Sequence, residues 1–428
     1  DAMITQTTLP NGLRLILLPM ENTRCVSMGV WVNAGSVYET EENNGISHFI
    51  EHMVFKGTKK RSARDIAVEM DAVGGNLNAF TAKECTCFYA KVLDSDLPLA
   101  VDILSDILLH SAFEEDCMER EKQVVIEEIG MSEDSPEDLC FETAGSDFYR
   151  GTVLEKTVLG TRETVAALTR QQIEAYMAAR YTGGNMVIAC AGSFEPRALT
   201  AMIEKAFADV PVGERDLMTE GAPAGRRPWI FRERDTEQVN TCLVLPGFKS
   251  SCEAYYAQAV LSNILGGSMS SRLFQKVREE RGLAYSVYSY PMAYRDTGSL
   301  CIYAGSSPKQ APLALELILQ ELEDIRLHGV TEREFLLCRN QLRGSFLMGM
   351  EGCSAFMNAL GKSLLLQNKE YAIEATLKAI ECVTMDKIQA VIPRILSGSC
   401  LSCAMVGRVK GVRKQMGSLL DGWAGALD

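Results

Sequence analysis

The chain has 428 residues and a mass of 47.1 kDa, more than one hydrophobic core usually organises, since single cores stop growing near ~250–300 residues. At least two domains are expected. A hydrophobic content of 47% with 23% charged residues argues against disordered and fibrous classes, and no apolar run approaches the ~18 residues that a spanning helix needs. The net charge of −13 disfavours nucleic-acid binding, which rewards Lys and Arg aligned on phosphates; it suits a basic or neutral partner, or serves solubility alone.

The first twenty residues, DAMITQTTLPNGLRLILLPM, lack the basic flank and small-residue cleavage site of a signal peptide, so the chain reads as cytoplasmic, without a membrane partner. Asn11-Gly12 between short alternating runs predicts a hairpin turn. The run GISHFIEHMVF follows as a short helix. Residues 76–93 (NLNAFTAKECTCFYAKVL) alternate and are rich in aromatic and β-branched residues, which predicts a strand or a strand pair. Residues 114–134 carry apolar residues at helical spacing among many acids, the pattern of a long helix with one buried face. Thr169 and Gln172 are spaced as a capping box opening a late helix. In the second half, strands are expected from Ala284 to Tyr290 and from Ser299 to Ala304.

An internal repeat organises these elements. LPLAVDIL from Leu97 matches APLALELI from Ala311 at an offset of 214 residues, and Leu168–Gly192 tracks Val383–Gly407 at an offset of 215. Between the halves, residues 211–228 replace periodic apolar positions with Gly, Pro and charge, as a linker does. The expectation is therefore α+β, with two tandem homologous domains that each pack a mixed or antiparallel sheet with helices. The domains are placed at 1–215 and 229–428, joined by a linker at 216–228.

The fourteen cysteines sit mostly singly in apolar patterns, where a thiol acts as a small hydrophobe under reducing conditions. Cys400 and Cys403 form one CxxC inside a run that reads as a buried strand, and Cys85 and Cys87 are two apart on another; neither pair reads as a metal or redox site.

The chain has four histidines, and two of them, His48 and His52, stand four apart with Glu51 between. On a helix, positions i and i+4 share a face, so both imidazoles can reach one ion. The bland alternative is two partly exposed histidines beside a solvating Glu. A catalytic zinc takes a third protein ligand and keeps one position open; Glu128 on the acidic helix is the candidate, with the adjacent Glu127 as runner-up. Glu121, two turns before Glu128 on the same face, can orient a ligand, or is simply a solvated acid. The second half has neither His nor Glu in the corresponding QAVLSNILGGSMSSRLF, and NQLRGSF replaces VVIEEI, so only the first half can hold the ion. Leu265-Gly-Gly-Ser268 lacks a phosphate-loop Lys and reads as backbone geometry.

His48-x-x-Glu51-His52 followed by Glu128 within VVIEEIGMSEDSPED resembles the insulinase/pitrilysin family of inverted-motif zinc metallopeptidases, and most of all the subfamily of the mitochondrial processing peptidase β subunit and its bacterial relatives. TLPNGLRLILLP, GISHFIEHMVFKGT, GGNLNAFTAKE and SSRLFQKVREERGLAYSVYS extend the resemblance over the whole chain. It implies Zn2+ on His48, His52 and Glu128, Glu51 as general base, and Glu121 as an accessory acid. It further implies that Arg278 and Tyr285 grip the substrate backbone, residues that would otherwise read as a surface cation and a strand aromatic. The strand Asn78-Ala79-Phe80-Thr81 resembles the family's edge strand, which takes up an extended peptide substrate. The implied activity is zinc-dependent endopeptidase action on unstructured or presequence-like peptides, basic ones among them, by a homodimer of clamshell halves. The alternative is a non-catalytic structural or assembly subunit of the same superfamily.

Overall fold

The computed structural model describes residues 4–427. The chain packs into two compact units, each assembled mainly from one half of the sequence. The first takes the residues through Ile129, then Lys156–Met218 and Met348–Tyr371; the second takes Gly130–Glu155, Thr219–Leu347 and Ala372 onward. Each unit therefore receives one segment from the other half of the sequence.

The first unit is built on a six-stranded sheet. Its strands are β1 (Thr5–Thr8), β2 (Arg14–Pro19), β3 (Cys25–Val32), β4 (Asn76–Thr81), β5 (Thr86–Leu93) and β6 (Met186–Gly192), in the order β1-β2-β6-β3-β5-β4. The β1–β2 hairpin turns at Asn11-Gly12, where Gly12 has φ 88°. Strand β2 reads RLILLP without polar alternation because both of its faces are covered. Leu15 and Leu17 point into the main core, whereas Ile16 and Leu18 point into a second apolar layer.

On the main-core side lie α1 (Ile46–Met53), α2 (Ala63–Ala72), α3 (Leu97–Leu109) and α4 (Glu115–Asp134), with Phe49, Ile50, Met53, Ile103, Leu104 and Val125 buried against Val30 and Phe88. The second layer is closed by the helix Cys353–Lys362 and the turn Ser363–Gln367 that follows it, which bury Met357, Leu360, Leu364 and Leu365 against Trp31, Cys87 and Val187. Gly361 is what permits the approach: a Cβ there would lie 2.2 Å from Trp31 Nε1.

The second unit repeats the design. Its strands are β7 (Gly225–Arg226), β8 (Ile230–Glu233), β9 (Val239–Pro246), β10 (Ser286–Ala293), β11 (Gly298–Ser306) and β12 (Cys400–Gly407). They run β10-β11-β9-β12-β7, with β8 also pairing β12. Matching β8, β12, β9, β11 and β10 to β2, β6, β3, β5 and β4 gives one order of connections in both sheets, the structural form of the sequence repeat. Strand β7 lies within the Gly- and Pro-rich stretch and pairs in parallel with Cys400 and Leu401.

One face of this sheet is buried by the helices Ala254–Gly266, Ala311–His328, Met385–Ile395 and Arg413–Ala426. The other is covered by α5 (Pro136–Phe148). Phe141 stacks on Tyr303 with centroids 5.0 Å apart, Ser402 Oγ donates to Asp147 at 2.8 Å, and Cys140 Sγ lies 3.2 Å from the Asn240 carbonyl oxygen. Cys400 and Cys403 lie within the fully buried β12, and burial pushes the Cys403 thiol up, which disfavours the thiolate that metal binding requires. Among the described residues, no helix is long and apolar enough to cross a membrane.

Candidate metal centre

Helix α1 reads ISHFIEHM. Its apolar residues Ile46, Phe49, Ile50 and Met53 anchor it in the main core, leaving His48, Glu51 and His52 along the remaining face. The two imidazole centroids are 4.6 Å apart. The helix has no capping side chain of its own, because it starts at Gly45 with φ 96°, a backbone region that favours glycine. Glu39 from the preceding loop supplies the cap. Its buried carboxylate accepts from the Gly45 N–H at 2.7 Å, the Asn44 Nδ2 at 2.8 Å and the Ser47 N–H at 3.0 Å. Burial raises the Glu39 carboxyl above its usual range, and these hydrogen bonds oppose the rise. A negative charge at a helix N-terminus is also favoured by the helix dipole.

Helix α4 delivers the carboxylates. Glu128 Oε2 is 3.7 Å from His48 Nε2 and 3.4 Å from His52 Nε2. Glu121, seven residues earlier on the same face, is buried; its Oε1 lies 2.8 Å from His52 Nδ1 and its Oε2 2.9 Å from Lys56 Nζ. Glu127 is exposed on the flank of the helix, so Glu128 is the acid that the fold brings to the histidines.

These residues fit a zinc ion. Tetrahedral ligands at Zn–N and Zn–O distances of ~2.1 Å stand about 3.4 Å from one another, close to the spacings from Glu128 to the two imidazoles. Among the described residues, His48, His52 and Glu128 form the one set of three or more His, Cys, Asp or Glu whose donor atoms lie within 4.8 Å of each other. Burial, with a smaller contribution from His52, lowers His48 to about 4, so it is neutral at physiological pH, as a metal ligand must be. In the second unit, the helix Ala254–Gly266 occupies the place of α1 in the repeat and carries no His or Glu within its bounds.

Glu51 lies beside this set without belonging to it. Burial raises its carboxyl above the usual range and the neighbouring Glu128 charge adds to the rise; a hydrogen bond from Thr81 and the proximity of His52 oppose it. Thr81 Oγ1 donates to Glu51 Oε2 at 2.5 Å. Thr81 ends β4, which among the described residues pairs only with β5 and so forms a sheet edge. Asn78, Ala79 and Phe80 precede it on that edge, with Phe80 edge-on to Trp31 at 5.5 Å.

Arg278 and Tyr285 stand together in the second unit. The Arg278 guanidinium lies 4.8 Å from the Phe274 ring centroid and 5.6 Å from that of Tyr285. Both line a cleft of about 540 Å³ with Gln238, Ser306, Ser307 and Gln310, and Tyr285 is 74% exposed. The sequence reading missed three contributors: Glu39, Lys56 and the side-chain role of Thr81. For Glu39 a signal existed, since a helix that opens on Gly with no Ser, Thr, Asp or Asn at its cap must draw a cap from elsewhere.

The repeated sheet-and-helix unit, with one His–His–Glu cluster among the described residues beside a separate half-buried Glu, defines a two-domain protein with a candidate metal centre. Residues 15–162 match the family model described as Insulinase (Peptidase family M16), and residues 167–342 match the one described as Peptidase M16 inactive domain. An uncharacterized zinc protease of Streptomyces coelicolor is 40% identical over 98% of this chain and 92% of its own length. The uncharacterized zinc protease YmxG of Bacillus subtilis is 40% identical over 90% of this chain and 94% of its own. The chain belongs to peptidase family M16, the insulinase family. Its fold matches a crystal structure titled as a peptidase M16 inactive domain from Pseudomonas fluorescens, with a TM-score of 0.87 at 18% identity over 95% of this chain and 98% of that one. It also matches a protease from Helicobacter pylori with a TM-score of 0.87 at 20% identity, over 95% and 99% of the two chains.

Proposed function

We propose that the protein is a zinc-dependent endopeptidase acting on unstructured peptides, with Glu51 as its general base. The observation that carries this reading is the meeting of His48, His52 and Glu128 at ligand spacing while Glu51, one residue from His52, stays outside the set. Zinc, when bound, supplies Lewis-acid polarisation of the substrate carbonyl and lowers the pKa of a water molecule from about 15.7 towards ~7.

The protein's own residues do the rest. Glu51 takes the proton from the attacking water and returns it to the leaving amine, so no covalent intermediate is needed. Glu121 holds the His52 ring by its Nδ1, which leaves Nε2 for the metal. The edge strand at Asn78, Ala79, Phe80 and Thr81 offers its outer side to an extended peptide, which would take over the Ala79 N–H now donated to Asn78 Oδ1 at 2.8 Å, and such pairing tolerates many sequences because main-chain bonds supply affinity. Arg278 and Tyr285 are assigned to hydrogen-bonding the substrate carbonyl as negative charge develops on its oxygen. The exposure of Tyr285 supports its availability for that task.

Under the same reading, the net charge of −13 favours basic, presequence-like peptides; equal cleavage of matched acidic and basic peptides would remove that preference. A cytoplasmic homodimer is proposed with it, and a solution size corresponding only to monomer would count against the dimer. The reading as a whole is tested by incubating the protein with a mixture of unstructured peptides, with and without a chelator and zinc add-back, and identifying products by mass spectrometry. Internal cleavage that the chelator stops and zinc restores is the expected result. Zinc-loaded protein that leaves every peptide intact would overturn it.

A further inference from the structure

We propose that Thr81 is a positioning residue for Glu51, fixing one carboxylate oxygen so that the other is presented to the attacking water. The inference rests on the peptidase reading above.

The geometry begins with the pleat of β4. Leu77, Ala79 and Thr81 are its half-buried positions, while Asn76, Asn78 and Phe80 are exposed; Leu77 and Ala79 pack on the same core as α1. The alternation thus turns the Thr81 side chain towards α1, where Oγ1 reaches Glu51 Oε2 at 2.5 Å. A hydroxyl has one proton, and an ionised carboxylate has none to give, so Thr81 donates this hydrogen bond and Glu51 Oε2 accepts it.

Thr81 is itself held in place. It pairs with Thr86 across the β4–β5 register, and the backbone closes behind it through the Ala82 N–H to the Cys85 carbonyl oxygen at 2.8 Å. The Thr86 side chain is buried, donates to the Ala34 carbonyl oxygen at 2.9 Å, and brings its oxygen to 3.4 Å from Thr81 Oγ1. The donor that meets Glu51 is therefore anchored in the sheet rather than on a free loop. A glutamate has three rotatable side-chain bonds, and a base must stand within hydrogen-bond reach of the proton it removes. A hydrogen bond to one oxygen at a fixed point of the sheet restricts those rotations and assigns the second oxygen to the water.

This division predicts separable effects. The backbone of β4 seats the peptide, and the hydroxyl beneath it sets the base. Thr81→Val keeps the shape and the backbone and removes only the hydroxyl; Thr81→Ser restores the hydroxyl. Both variants are compared with the wild type for zinc content, melting temperature, kcat and KM on one peptide that the wild type cleaves. For Thr81→Val we expect full zinc content and an unchanged melting temperature. We also expect KM within about twofold and kcat down by roughly ten- to a hundredfold, the weight of a hydrogen bond to a charged group, with Thr81→Ser recovering most of the loss. A wild-type kcat in Thr81→Val, a loss confined to KM, or a Thr81→Ser variant as impaired as Thr81→Val would overturn the inference and leave the peptidase reading intact. A wild type that binds zinc but cleaves no peptide would overturn the peptidase reading, and the inference with it.

Discussion

Glu121 and His52 share a hydrogen bond that decides how α1 presents its second imidazole. With Nδ1 2.8 Å from Glu121 Oε1, Nε2 is turned to Glu128 at 3.4 Å. The carboxylate is itself buried and paired with Lys56 at 2.9 Å, so it acts as a fixed acceptor between a ring N–H and an ammonium.

Glu121→Gln replaces one of those acceptor oxygens with an NH2 group, although both neighbours are donors. Zinc affinity, measured by competition with a chelating indicator, should weaken by roughly ten- to a hundredfold, as is typical when the partner of a metal-bound His is altered. Unchanged affinity would mean that the imidazole is oriented by packing alone.

The second unit carries a pH-dependent support away from the metal centre. Arg272 grips Glu334 through Nε at 2.7 Å and Nη2 at 3.0 Å, while Thr331 adds its N–H at 2.8 Å and its hydroxyl at 2.9 Å. Burial by itself would raise the Glu334 carboxyl, but these donors outweigh it and bring it to about 2. A carboxylate whose folded pKa is depressed stabilises the fold above its unfolded pKa, near ~4.5, and the contribution is lost as pH falls towards the folded value. Glu334→Gln should therefore cost about 1–2 kcal/mol at pH 7, a value kept modest by the partial exposure of the pair. In urea denaturation, the gap from wild type should narrow as the pH is lowered from 5 towards 2. A gap constant across that range would contradict the assignment.

A chain ending at Met218 keeps all six strands of the first sheet but loses Met348–Tyr371, the cover of its second apolar layer. Trp31, Ile16, Cys87 and Val187 would then face water. Uncovering apolar area costs about 25 cal/mol per Å² and creates an aggregation surface. The truncated chain should be insoluble or bind a hydrophobic dye, and fusing residues 348–371 to it through a flexible linker should reduce both effects. A soluble truncated chain that does not bind the dye would contradict this account of the sheet.

That exchange of segments also marks where sequence reading stops. The continuous apolar run of β2 says that both faces are covered, but periodicity within a strand cannot say which distant helix covers it. The sequence likewise left Glu127 beside Glu128, because adjacent positions on a helix differ by ~100° and only the docking of α4 against α1 chooses between them. His48, Glu51 and His52 were legible because residues three and four apart share one helix face, which is a local rule of spacing. Thr81 was legible as a residue of the expected substrate edge strand, but not as a partner of Glu51. Its side-chain partner lies thirty positions away on α1, and the register that joins them is a property of the folded sheet. The repeat was readable for the opposite reason, since helix starts and buried strands such as β6 and β12 impose similar local patterns wherever they recur.

The most direct test of the central claim is the turnover of Glu51→Gln protein loaded with one zinc ion, measured on a peptide that the wild type cleaves. Gln preserves the shape and the hydrogen bond to Thr81 through its carbonyl oxygen, and it cannot accept the water proton. The account predicts a variant that holds zinc as tightly as the wild type within about threefold and is slower by at least ~100-fold, the lower range for losing a general base. A zinc-loaded Glu51→Gln variant that cleaves at the wild-type rate would show that the base lies elsewhere and would contradict the account.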